Sequence, residues 1–206
     1  MRNSANKKMR LNTFTAKKIA LSGLFLALAL IVGLIENMLP PIVPALPYAK
    51  LGLGNVVLLA CFLLVGVWQG YVVLLLKCFL TAVFSANFAS MLWSVPSALV
   101  AYTAMVLLAK SGFFSTTGIS VAGAMLHNAM QILVATLIIG QSVLVYLPYM
   151  LVAGAIAGFV TGLVCHFVVE GLKNKTNLPP VKNEEYFRAL DEDEDESQDL
   201  PAETTE

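Results

Sequence analysis

Between Ile19 and Val169 the chain is a succession of apolar runs separated by short polar breaks. Runs of that length restrict it to segments that cross a lipid bilayer, where every backbone N–H and C=O must be satisfied inside the protein and the helix is the local solution. The runs are Ile19–Ile35, Leu51–Val67, a third that continues past Trp68-Gln69-Gly70 to Phe84, then Ala89–Ala109, Ile119–Ile139 and Val143–Val169. They predict an all-α, six-helix transmembrane bundle over residues 19–172, preceded by a basic segment 1–18 and followed by an acidic segment 173–206 expected to be disordered. The second and third runs are slightly short for a hydrocarbon core that takes about 20 residues, so tilt or shelter by neighbours is expected there.

Composition agrees: 58% of residues are apolar and 13% charged, far from the balance of a soluble domain. Net charge is zero, but residues 1–172 hold nine Lys/Arg against two acids, while residues 173–206 hold four against eleven. With six spans and a cytoplasmic N-terminus, eleven of the thirteen basic residues fall on cytoplasmic segments, which sets the topology as N-in, C-in. The exceptions are Lys50 and Lys77. The acidic run Asp191–Glu196 repels itself and reads as a solvated tail. The first run is long for a signal peptide and ends in Glu36-Asn37-Met38-Leu39-Pro40-Pro41 without a small-residue cleavage site, so it is read as a retained helix. Four prolines between Met38 and Pro47 make a stiff, lid-like connector. Cys61, Cys78 and Cys165 all lie in apolar runs without C-x-x-C spacing and read as small buried hydrophobes.

Polar residues inside apolar runs are costly and mark partners or sites. Tyr48-Ala49-Lys50-Leu51-Gly52-Leu53-Gly54-Asn55 sets a lysine, two glycines and an amide where the proline-rich connector meets the second run. In the predicted topology Glu36, Asn37, Lys50, Asn55, Lys77, Ser85 and Asn87 fall in the outer half of the membrane. His127 and Asn128 lie near its middle, Gln131 a turn further out, and Tyr146 and Tyr149 flank Pro148 at the outer start of the sixth span. Individually these have ordinary explanations: Lys50 can snorkel, the tyrosines can form an interfacial belt, and His127 can bond across helices. Collectively their one-sidedness predicts an outward-open cavity, mildly cationic and suited to a carboxylate or phosphate, with the tyrosines and Trp93 available to stack on a ring. Ser120, Ala124, His127 and Gln131 share one stripe of the fifth helix, which is therefore expected to be buried in the bundle. His127 has no Cys, Asp or second His nearby, and His166 falls at the cytoplasmic end of the sixth span, so no metal site is expected.

Small residues recur at four-residue spacing, which lets helix backbones approach. Gly154/Gly158/Gly162 in the sixth helix are read as packing within the chain. In or near the first helix, Ala29/Gly33 and the candidate docking residues Ala16, Ala20, Gly23 and Ala27 leave internal packing and docking to another membrane subunit both open. No phosphate loop, nucleophile elbow or H-E-x-x-H motif occurs, so the chain is not expected to hydrolyse ATP or act as an enzyme by itself.

At K-L-G-L-G-N, at S-V-A-G-A-M-L-H-N-A-M-Q and at I-E-N-M-L-P-P the sequence resembles the Gx transporter family, often labelled heptaprenyl diphosphate synthase component I, over roughly residues 17–172. That family is grouped with the S components of energy-coupling factor transporters. The resemblance implies a prokaryotic plasma-membrane subunit that binds a vitamin-like solute from outside, with flavins among the candidates. Its implied partners are a membrane T component and two cytoplasmic ATPases that alone use ATP; neither a covalently bound cofactor nor nucleic acid is implied. The carried-over residues are Lys50, Gly52, Asn55, Ser120, Gly123, His127, Asn128 and Gln131. Where the family pattern has an arginine this chain has Lys77, which offers a point charge without the bidentate fork. A second reading is a non-catalytic membrane accessory of polyprenyl diphosphate or quinone synthesis. No D-D-x-x-D site for magnesium diphosphate stands on a helix.

Overall fold

The structure, a computed structural model, describes residues 2–39 and 50–176. The described residues form six α-helices: α1 (Arg2–Met38), α2 (Asn55–Leu64), α3 (Val67–Phe84), α4 (Ala89–Lys110), α5 (Thr116–Ile139) and α6 (Leu147–Thr176). A 3-10 turn, Gln141–Tyr146, leads into α6. The acidic tail and most of the proline-rich connector lie outside the described residues.

Five helices are long and apolar enough to cross a membrane, α1 by its segment Lys18–Met38. The second expected span differs. Only Asn55–Leu64 is helical, ten residues rather than the whole run Leu51–Val67. Ten residues rise about 15 Å, half of a hydrocarbon core of about 30 Å. The physical reason is burial: nine of the ten residues are shielded by protein, and α2 touches all five other α-helices. A helix enclosed by protein over nearly all its length need not match the bilayer.

The turn between α2 and α3 occupies two residues and depends on Gly66, whose φ of 144° is closed to ordinary side chains. Tyr102 of α4 pins this turn, donating its hydroxyl to the Val67 carbonyl at 2.8 Å. Its ring fits there because Gly70 has no side chain; a Cβ would collide with the Tyr102 hydroxyl.

On the other side of the bundle, α5 and α6 pack backbone against backbone. A Cβ on Gly158 would lie 2.7 Å from Val121 Cα, and one on Gly162 would lie 2.8 Å from Thr117 Cα. The expected internal role of the sixth-helix glycines is what the structure shows. α1 packs inward through Phe25, Ala29, Gly33 and Glu36, all buried, leaving Ala16, Ala20, Gly23 and Ala27 exposed on another face.

Candidate functional site

The shortness of α2 makes the site. Gly54 precedes α2, and a Cβ there would collide with the Lys77 ammonium, so α2 begins level with the eleventh residue of α3. Seven more residues of α3 continue past that level, about 10 Å. The space above α2 is a cleft whose walls are Gly33 and Glu36 of α1, Lys77, Cys78 and Thr81 of α3, and Ser90, Ser94 and Ala98 of α4. Lys50 and Gly52 from the segment before α2, with His127 of α5, complete it. The cleft has an empty volume of about 420 Å³, solvent at its mouth included.

Residues 50–54 are non-helical backbone set inside the bundle, a position that requires the protein to satisfy their polar groups. Two side chains do so. Glu36 Oε1 accepts the Gly52 N–H at 2.5 Å and the Leu53 N–H at 3.2 Å. Gln131 Oε1 accepts the Lys50 N–H at 3.0 Å. Gly52 has a φ of +77°, and a Cβ there would stand 2.8 Å from both His127 Cδ2 and Asn55 Nδ2. Backbone conformation and close approach both demand glycine.

The electrostatics are one-sided. Neither the Lys50 nor the Lys77 ammonium lies within ion-pairing distance of a carboxylate among the described residues. Lys77 stands against the amino end of α2, which carries partial positive charge from its aligned peptide dipoles. Glu36 is the one carboxylate in the lining, and one of its oxygens already serves the loop amides. Buried polar atoms are normally paired. Here Thr81 Oγ1, Ser94 Oγ and His127 Nδ1 are buried without a hydrogen-bond partner, and all three residues line the cleft. Asn55 Nδ2, just below, is in the same condition. Chemically this set can hold an anion. No group of three or more His, Cys, Asp or Glu able to hold a metal ion occurs among the described residues.

Of the residues singled out from the sequence, Glu36, Lys50, Gly52, Lys77 and His127 come together in the lining. Gln131 stands behind it, bonding to the Lys50 amide and to His127. The others lie elsewhere. Asn37 Nδ2 donates to Ser85 Oγ at 3.3 Å, and Asn87 Oδ1 accepts the Ser90 N–H at 3.2 Å in the first turn of α4. Asn128 is fully buried between α5 and α6, where its Nδ2 donates to the Met150 carbonyl at 2.8 Å. Tyr146 packs with Trp93 in a second apolar cluster, and Tyr149 is 57% exposed. Thr81, Ser90, Ser94 and Ala98 were not apparent as site residues. Their signal was spacing: Lys77/Thr81 and Ser90/Ser94/Ala98 repeat every four residues and so share one helix face.

Fold and cleft together define a multi-pass α-helical membrane protein with a cationic polar cleft at one end of the bundle. The chain belongs to the family described as heptaprenyl diphosphate synthase component I, whose profile matches residues 25–168. This is the family that the K-L-G-L-G-N and S-V-A-G-A-M-L-H-N-A-M-Q motifs resemble under its Gx transporter naming. No curated protein and no solved structure matches the chain significantly.

Proposed function

We propose that the protein is the substrate-binding, S-component-like subunit of an energy-coupling factor transporter in a prokaryotic plasma membrane. In this reading it is a six-helix bundle, N-in and C-in, that captures a small anionic, vitamin-like solute at its outer end. The observation that carries it is the meeting of two unpaired ammonium groups with the amino end of α2 over one cleft. That end of the bundle lies opposite the basic N-terminal segment, so the positive-inside rule turns it outward. The subunit itself is no enzyme and holds no covalent cofactor. Transport is powered by two partner ATPases through a T component, which docks on the exposed α1 face at Ala16, Ala20, Gly23 and Ala27. The lining calls for negative charge on the solute, and no residue in it distinguishes a flavin from another anionic ring compound.

Native mass spectrometry of detergent-purified protein, with Lys50→Ala and Lys77→Ala beside it, tests the proposal. A copurified water-soluble anion lost in both variants is expected. The family description favours a second reading, an accessory to polyprenyl diphosphate synthesis, because a cationic cleft also suits a diphosphate. A copurified prenyl diphosphate in place of the soluble anion, lost in the same variants, would establish that reading and remove the first. Docking is checked separately: Ala20→Leu and Gly23→Leu should abolish copurification with a T component.

A further inference from the structure

We infer that His127 presents its Nδ1–H to the cleft as a fixed hydrogen-bond donor for a ligand oxyanion, and that docking of residues 50–54 sets this polarity. The inference rests on the anion-binding reading above and adds the atom and the hydrogen-bond direction that select the ligand.

The polarity follows from one hydrogen-bond chain. A backbone N–H can only donate, so the Gln131 atom facing the Lys50 amide at 3.0 Å is its carbonyl oxygen. The Gln131 amide nitrogen then faces His127 Nε2 at 3.0 Å, and an amide nitrogen can only donate. Nε2 must therefore accept. A ring nitrogen that accepts carries no proton, so His127 is neutral and its proton sits on Nδ1. That Nδ1 is buried and makes no hydrogen bond of good geometry, but the Ser97 carbonyl lies close enough to the ring to act as a backbone hydrogen-bond acceptor, so a ligand oxyanion takes the N–H in its place.

The ring is held in place. Gly52 covers its Cδ2 edge and Gln131 holds its Nε2, which leaves the Nδ1 edge for the Ser97 carbonyl of α4, between the cleft-lining Ser94 and Ala98. His127 is 5% exposed and Gln131 is 1% exposed, so water does not compete for the chain between them. An oxyanion entering the cleft would find the two ammonium groups and this N–H, set against the single carboxylate of Glu36, one of whose oxygens is taken by the loop amides. The chain begins at the amide of Lys50. If residues 50–54 leave the bundle, Gln131 is free to turn its amide over, and the donor is no longer fixed. Recognition and loop docking are thereby one event.

The test uses the full-length protein in lipid nanodiscs with nitrogen-15 histidine and the His166→Gln exchange, which leaves His127 as the single histidine signal. The expected spectrum is neutral imidazole protonated at Nδ1, with that signal moving on titration with inorganic phosphate or acetate. Gln131→Glu, which offers His127 an acceptor, should switch the proton to Nε2. For binding, His127→Leu should weaken phosphate by about 10- to 100-fold, the weight of a hydrogen bond to a charged group. His127→Asn, whose side-chain N–H lies near the Nδ1 position, should recover most of the loss. An Nε2–H or imidazolium spectrum in the otherwise native protein overturns the inference. So does an Nδ1–H that neither anion moves, which would assign it to the Ser97 carbonyl, and so does a His127→Leu protein that binds phosphate as before. These results are separate from the fate of the transport reading, which falls on a copurified prenyl diphosphate.

Discussion

The α5–α6 interface and the α1–α3–α4 cleft draw on the same kinds of residue and use them in opposite ways. At α5–α6, glycines bring the backbones together, Ser120 meets Thr161 at 3.2 Å, and Asn128 donates to the Met150 carbonyl at 2.8 Å. Polar groups there act as glue between helices. At the cleft, Lys50 and Lys77 have no carboxylate at ion-pairing distance among the described residues, and Thr81 Oγ1, Ser94 Oγ and His127 Nδ1 are buried without a hydrogen-bond partner of good geometry. The difference teaches that a polar residue in an apolar run is identified by what faces it. Asn128 and His127 are sequence neighbours, yet one ties two helices and the other lines the cleft.

Four substitutions sharpen or break that contrast. The largest effect is expected from Gly158→Leu, whose side chain must enter the space held by the Val121 backbone. It should cost about 3 kcal/mol or more and show as loss of the folded protein in a detergent thermal-melt assay. Lys77→Ala should act in the other currency: solute affinity falls about 10- to 100-fold in native mass spectrometry or calorimetry, while thermal stability holds or rises as an unpaired charge leaves. If Lys77→Ala melts early with its affinity intact, the cleft is a structural device like the other interface, and the contrast is lost. Gly52→Ala should cost about 1–3 kcal/mol through its φ of +77° and its approach to His127, with earlier protease cutting around residues 50–54 as the readout. The smallest effect is expected for Ser120→Ala, about 0.6 kcal/mol in the same melt, the usual weight of an interhelical hydrogen bond in a membrane protein.

Much of this arrangement is legible in the sequence. α1 and α3–α6 follow from apolar length, because a lipid-facing helix has to match the bilayer. α2 does not, since hydropathy responds alike to an apolar run against lipid and to one enclosed by protein, and Leu51–Val67 contains both a helix and its lead-in. Glu36, Lys50, Lys77 and His127 stand out because charge or imidazole is rare in such runs. The hydroxyls of Thr81 and Ser94 do not, because serine and threonine are common in membrane helices and bond to the preceding turn, as Ser97 does with the Trp93 carbonyl. Glu36 was expected in the site, but its clasp on the Gly52 and Leu53 amides depends on a chain reversal that spacing alone does not specify.

The brevity of α2 has a consequence for how the protein is made. A membrane helix is ordinarily inserted by itself and assembled afterwards, but ten residues that rise about 15 Å cannot stand alone across a bilayer. Asn37 at the end of α1 bonds Ser85 at the end of α3, so the chain between these helices must return through the bundle before α3 can begin, and it does so through a helix that only its neighbours shelter. The return of the chain through α2 and the forming of the cleft above it are therefore one step. Polar changes within Asn55–Leu64 should disturb the direction of α3 and the binding cleft together.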